Sequence, residues 1–145
     1  MNKILAVLLV SSLALPAFAG KEAQKEDFKL IHVSDLADAM KSPQPPAVFD
    51  ANNKETRKKF GVIPGAVLLS NYKKYDAKKV LPADKNGAVV FYCANTMCMA
   101  SHAAAKRAVK AGYKDVSVMA DGIMGWKDAG QPVSGPAKPQ TRGQD

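Results

Sequence analysis

From residue 29 to residue 133 short apolar runs alternate with longer amphipathic or polar stretches. KLIHV (29–33) has the length and composition of a strand. Ser34 is placed to cap a helix over DLADAMK (35–41), with Asp35 in the first turn, where the helix dipole favours negative charge. SPQPP (42–46) interrupts the chain, and AVFDA (47–51) predicts a buried strand that ends in a carboxylate, Asp50. NKETRKKF (53–60) suits a polar surface helix closed by Gly61 and the turn IPGA (63–66). AVLL (66–69) is the next strand, followed by a lysine-rich connection. AVVFY (88–92) shows no period-2 alternation, which predicts burial on both faces of a parallel sheet. SHAAAKRAVKAG (101–112) is an alanine-rich helix stopped by Gly112, DVSVM (115–119) a strand, and DGIMGWKDAGQPV (121–133) a last helix. Strand and helix in regular alternation predict an α/β fold: an open, mainly parallel sheet of about five strands with helices on both faces.

The ends of the chain depart from this pattern. MNKILAVLLVSSLALPAFAG combines a lysine, an apolar stretch from Ile4 to Leu15 and the small-residue site Ala17-Phe18-Ala19. These are the three parts of a secretory signal, with cleavage expected after Ala19. The apolar stretch is too short for a spanning helix, which needs about 20 residues. A periplasmic or secreted protein with no stable membrane insertion after cleavage is therefore expected. The charged segment 20–28 and the Pro-, Gly- and polar-rich segment 134–145 are expected to be flexible, leaving 29–133 as one domain.

The formal net charge is +8, but the lysines are scattered rather than clustered. Scatter argues against a nucleic-acid stripe and fits solubility, with a general attraction for small anions.

Only two cysteines are present, Cys93 and Cys98, in FYCANTMCMAS (91–101). In an oxidising compartment they could form a disulfide, yet a bridge across so short a loop constrains little of the unfolded chain. Position is more telling than number. Open α/β sheets bind ligands outside the carboxyl ends of their strands, and the loop joins strand 88–92 to helix 101–111. Backbone N–H groups and a helix N-terminus there would form an anion cradle from Ala94, Asn95, Thr96, Met97, Met99, Ala100 and Ser101. A thiolate at its base, Cys93, would have its pKa lowered and become a nucleophile. Cys98, nearer the rim, is either a loop residue without a chemical role or a resolving thiol that closes a disulfide with Cys93.

VFDAN (48–52), GVIPGA (61–66), VVFYC (89–93), S..AAKRAVKAGY (101–113) and DGIMGW (121–126), in this order and spacing, resemble a single-domain rhodanese. The resemblance covers 29–133 and implies a rhodanese-like fold and a sulfurtransferase. In that family the cysteine opening the loop takes sulfur from a donor, usually thiosulfate, as a persulfide and passes it to a thiophilic acceptor. Cys93 matches that cysteine, Ser101 the loop serine, Asp50 the structural aspartate and Trp126 the terminal aromatic. The partners implied are a small sulfur-containing anion and a thiol or other sulfur acceptor, with no cofactor and no metal.

Three departures accompany the match. The loop C-A-N-T-M-C-M-A-S is two residues longer than the family's C-x-x-G-x-R-S and lacks its glycine and arginine. Asn52 stands where D-x-R has its arginine, and Val62 replaces a histidine. Two other readings stay open. One is a thiol–disulfide redox protein cycling Cys93 and Cys98. The other is a non-catalytic anion- or Cu(I)-binding module, for which Met97, Met99 and His102 around Cys98 supply soft ligands.

Overall fold

A computed structural model describes residues 27–135. The five strands are β1 (Lys29–Ile31), β2 (Ala47–Asp50), β3 (Val67–Leu68), β4 (Val89–Tyr92) and β5 (Val116–Met119). They form a single sheet in the order β1-β5-β4-β2-β3. Every neighbouring pair is parallel, with β4 in the centre, so the mainly parallel sheet of the sequence reading is wholly parallel in its named strands. The helices are α1 (Val33–Ala39), α2 (Lys54–Phe60), α3 (Ala77–Val80), α4 (Ala100–Lys110) and α5 (Gly122–Asp128). The one-turn α3 lies in the stretch that reads as a lysine-rich connection; Asp76 caps it by accepting from the Lys78 N–H.

Two cores sandwich the sheet. On one face Phe49, Val89, Phe91 and Cys93 pack against Ala104, Ala105 and Ala108 of α4. On the other, Val48, Val90 and Tyr92 pack against Leu36 of α1 and Ile123 and Trp126 of α5. Successive residues of β4 thus serve opposite cores, which is why its sequence is apolar without alternation. The alanines of α4 carry so little side chain that the helix can lie close on the sheet. Phe91 fills that side, its ring stacked on Phe49 at a centroid distance of 5.2 Å.

Helix ends follow their caps with one change. α1 begins earlier than the sequence suggests, with His32 rather than Ser34 at the N-cap. The reason is Asp35: its Oδ2 accepts the His32 N–H at 2.8 Å, so the acidic residue defines the cap and Ser34 falls inside the first turn. α2 is capped by Asn53, whose Oδ1 accepts the Thr56 N–H at 2.8 Å, and it stops at Gly61 with φ +83. A side chain at Gly61 would meet the Ser134 carbonyl oxygen, 2.9 Å from a built Cβ. Here Val62 forms an antiparallel bridge with Ser134. Phe28 is buried in the α4-side core. These two residues at the edges of the expected flexible segments, Phe28 and Ser134, are therefore held to the domain by burial and by backbone pairing. Trp126 is also buried and donates from Nε1 to the Pro132 carbonyl at 2.8 Å, tying the segment after α5 to its own helix.

No helix among the described residues is long and apolar enough to cross a membrane. Residues 1–26, which include the expected signal, and the C-terminal segment beyond residue 135 lie outside the described residues.

Candidate active site

Two neighbouring strands end at the same edge of the sheet, β2 at Asp50 and β4 just before Cys93, with Asp50 paired to Tyr92 in register. All four residues of β4 are buried, so the residue that leaves it enters the loop from inside the protein. Cys93 is 1% exposed. Its thiol sits 3.0 Å from the Cys98 carbonyl oxygen, to which S–H donates, and 3.1 Å from the Ser101 hydroxyl. Ser101 is buried in the first turn of α4.

α5 holds the loop from the other side. The Ile123 N–H donates to the Cys93 carbonyl at 2.8 Å and the Met124 N–H to the Ala94 carbonyl at 3.0 Å. Such contact requires a residue without a side chain at the start of the helix. A Cβ on Gly122 would lie 2.5 Å from the Ala94 carbonyl carbon and oxygen and from the Asn95 nitrogen, and the φ of +66 there is one that only glycine adopts freely.

Asn95 organises the remainder of the loop. Its Oδ1 accepts the Met97 N–H at 3.1 Å, its carbonyl accepts the Cys98 N–H at 3.1 Å, and its Nδ2 faces the Met124 sulfur at 3.7 Å. Thr96, Met97 and Met99 are exposed, Ala94 and Cys98 half-buried, and Ala100 opens α4 while packing partly on the core.

This arrangement corrects the expected electrostatics of Cys93. A lowered pKa was predicted from a cradle of N–H groups, but burial pushes the thiol up from 9.0 to about 11. The Cys98 side chain adds to the rise, and the hydroxyl and N–H of Ser101 oppose it. The cause is the loop's conformation. The Met97 and Cys98 N–H groups are spent on Asn95, and a carbonyl, not an amide, faces the sulfur from the Cys98 side. Desolvation of the thiolate then outweighs the donors at Ser101.

The end of β2 is a closed ionic knot. Asp50 is fully buried. Its Oδ1 accepts the Asn52 N–H at 2.6 Å and its Oδ2 accepts the Tyr92 hydroxyl at 2.8 Å. The Tyr92 hydroxyl in turn accepts the Ile63 N–H at 3.1 Å. Burial and the adjacent Asp50 charge both push the Tyr92 phenol well above its ordinary range. Arg57 completes the knot: Nε faces Asp50 Oδ1 at 3.4 Å as an ion pair without hydrogen-bond alignment, and an Nη donates to the Asp50 and Leu69 carbonyls at 2.9 and 3.0 Å. The polar pattern of α2 does not reveal this buried arginine. The one available signal is its chemistry, a lone arginine among lysines, since its planar fork can serve a carboxylate and carbonyls together. Asn52, at the position of the family's arginine, contributes only its backbone N–H to Asp50, and its Nδ2 is buried without a partner.

On the far side of β5, His32 Nδ1 lies 3.2 Å from Asp121 Oδ2, which also accepts the Val33 N–H at 3.0 Å. The histidine ring is exposed, at the edge rather than in the core. His102 packs edge-on against Phe28 with centroids 5.6 Å apart, its Nδ1 buried without a partner. Among the described residues no group of three or more His, Cys, Asp or Glu side chains could hold a metal ion.

The rhodanese-like domain pattern matches residues 32–129. The chain belongs to the rhodanese-like domain family. Among curated proteins none matches it. Solved structures share the fold. One is a Pseudomonas aeruginosa thiosulfate sulfurtransferase, with TM-score 0.61 and 20% identity over 79% of this chain and 21% of that one. Another is the polysulfide-sulfur transferase homodimer of Wolinella succinogenes, with TM-score 0.61 and 18% identity over 81% of this chain and 85% of that one. A third, a Rhodopseudomonas palustris protein of unknown function described as a possible tyrosine phosphatase, has TM-score 0.60 and 24% identity over 74% and 85%. In this rhodanese-like chain Cys93 and Ser101, the two residues that the sequence resemblance singles out, are in contact.

Proposed function

We propose that this rhodanese-like protein is an exported sulfurtransferase that carries sulfane sulfur as a persulfide on Cys93. The observation that carries the reading is the contact between Cys93 Sγ and Ser101 Oγ at 3.1 Å, at the junction of a central strand and a helix N-terminus. A hydroxyl donor and the Ser101 N–H there favour an anionic sulfur, whether thiolate or the terminal atom of a persulfide. In the first half-reaction the Cys93 thiolate attacks the outer sulfur of the donor. With thiosulfate the donor's S–S bond breaks and sulfite leaves with its electron pair. In the second, a thiophilic acceptor attacks the outer persulfide sulfur and Cys93 thiolate is released. The Cys93 proton goes to solvent or base before the first step.

The loop lacks the family's arginine, and the arginines nearest in sequence are committed elsewhere, Arg57 to Asp50 and Arg107 Nε to the Tyr75 carbonyl at 2.6 Å. A doubly charged donor such as thiosulfate therefore meets fewer fixed cations here than in relatives with the arginine.

Export rests on the signal-like residues 1–19. Intact mass of the protein expressed from the full chain tests both parts of the reading. The expected mature protein starts at Gly20 and, after exposure to thiosulfate or inorganic polysulfide, gains one sulfur that cyanide removes as thiocyanate. Cys93→Ser should lose the adduct entirely. Sulfur uptake unchanged in Cys93→Ser would overturn the assignment, and an N-terminus at Met1 would overturn export.

A further inference from the structure

The buried position of Cys93 poses a problem for delivery. Its sulfur is shielded from solvent, and the carbonyl that faces it belongs to Cys98, half-buried and carrying the chain's only other thiol. Both cysteines are free thiols, and Cys98 faces Cys93 through its carbonyl at 3.0 Å, with its side chain among the groups that push the Cys93 thiol up. The segment between them is bound by contacts to Asn95 and ends in the exposed Thr96 and Met97. Of the two cysteines, Cys98 is therefore the more accessible to solvent.

We infer that Cys98 is the first acceptor of the Cys93 persulfide and that the product is sulfide. This rests on the persulfide reading above. The Cys98 thiolate attacks Cys93 Sγ, the inner sulfur. The Cys93–Cys98 disulfide forms, the bond from Cys93 Sγ to the outer sulfur breaks, and that sulfur leaves with the electron pair as hydrosulfide, taking up the proton Cys98 gave. The sulfane sulfur is reduced by two electrons and the two thiols are oxidised by two. An external dithiol reductant must then reduce the disulfide for a second turnover.

Attack on the outer sulfur is the competing course, and it would expel Cys93 as a thiolate. Thiol exchange favours the leaving group of lower pKa. The Cys93 thiolate is a poor one, because it would be left desolvated beside the Cys98 carbonyl. Hydrosulfide is small, is the anion of a stronger acid, and escapes to water. The same geometry that raises the Cys93 pKa thus directs the second thiol to the inner sulfur. On this account Cys98 replaces the thiophilic acceptor of a simple transferase and converts the chain into a sulfane-sulfur reductase.

The test is a single turnover without air. Fully reduced protein, freed of reductant, is mixed with thiosulfate or, separately, inorganic polysulfide; free sulfide and intact mass are then read. Wild type should release one equivalent of sulfide per chain and stop, its mass lower by two hydrogens and its two thiols no longer alkylated. Cys98→Ser should instead accumulate the one-sulfur adduct, discharged by cyanide as thiocyanate, with sulfide release slowed on the order of tenfold or more. A wild-type persulfide that persists with a free Cys98, or equal sulfide release from Cys98→Ser, would overturn the inference while leaving the sulfurtransferase reading intact. Failure of both proteins to take up sulfur from either probe would overturn the two together.

Discussion

β2 and β4 lie side by side and end at the same edge of the sheet, and each delivers one group of acidic character to it. The two ends are built to opposite purposes. Asp50 is buried with every contact supplied: a backbone N–H, a tyrosine hydroxyl and a guanidinium. Cys93 is buried almost as deeply, with only Ser101 donating to it and a carbonyl facing it. A buried carboxylate with every contact supplied holds structure, because removing it or a partner leaves polar groups unpaired in low dielectric. A sulfur kept protonated by its surroundings is held in reserve, because opening the loop or removing the proton changes its state at small structural cost. The edge is thus divided between a strand end whose polar groups are fully partnered and one whose sulfur is not.

The comparison breaks most completely at the carboxylate. Asp50→Ala would strand the Arg57 charge and the Tyr92 hydroxyl in the interior, and the expected loss is about 3–5 kcal/mol of stability. Urea unfolding followed by tryptophan fluorescence from Trp126 measures it. A loss below about 1 kcal/mol would mean that the knot is held by Arg57 and the carbonyls alone.

A smaller effect is expected where α5 meets the cysteine loop. Gly122→Ala combines a disfavoured φ with backbone contacts at 2.5 Å, so the expected cost is about 2–3 kcal/mol. Because Ile123 and Met124 hold the Cys93 and Ala94 carbonyls, the same substitution should also displace the loop and slow sulfur uptake. Thermal unfolding and the rate of adduct formation, measured together, check this. Loss of stability with unchanged uptake would show that the loop keeps its shape without α5.

The smallest effect concerns the sulfur itself and sharpens the contrast without breaking the fold. Alkylation of Cys93 should quicken with pH until the thiol ionises at about 11. Ser101→Ala removes a hydroxyl that favours the thiolate, so the profile should move further to alkaline pH and the rate near neutrality fall roughly three- to tenfold. Stability follows the reverse course. The folded thiol ionises later than the unfolded one, so its contribution is full below about 9.0 and is lost as pH rises towards about 11. A Ser101→Ala profile identical to wild type would remove the serine from any part in tuning Cys93.

Much of this molecule was legible in the chain. The strands, the helices except α3, the edge of the sheet at which Cys93 lies, and the family itself follow from AVFD, VVFY, the alanines of α4 and the spacing of the motifs. These are local signals: apolar run length, glycine stops and capping residues act over a few positions. The one cap misread, at α1, turned on which of two neighbouring polar residues bonds the helix start, a choice that only the Asp35 side chain makes.

What the sequence could not decide was the balance of forces at Cys93. It placed the cysteine at a strand end before a helix, from which a lowered pKa follows if amides point at the sulfur. The loop folds otherwise, because Asn95 gathers the amides of Met97 and Cys98, and the depth of burial is set by β4 lying between β2 and β5. The Arg57–Asp50 pair, seven positions apart, was hidden for the same reason, since α2 reads as a polar surface helix until it is laid against the sheet. Sequence alone determined the order of elements, the family and the identity of the two thiols, because those depend on composition and short-range spacing. Tertiary structure alone decided that the Asp50 carboxylate is fully partnered and that the Cys93 thiol is pushed up, because solvation and the direction of each neighbouring dipole exist only once the chain is packed.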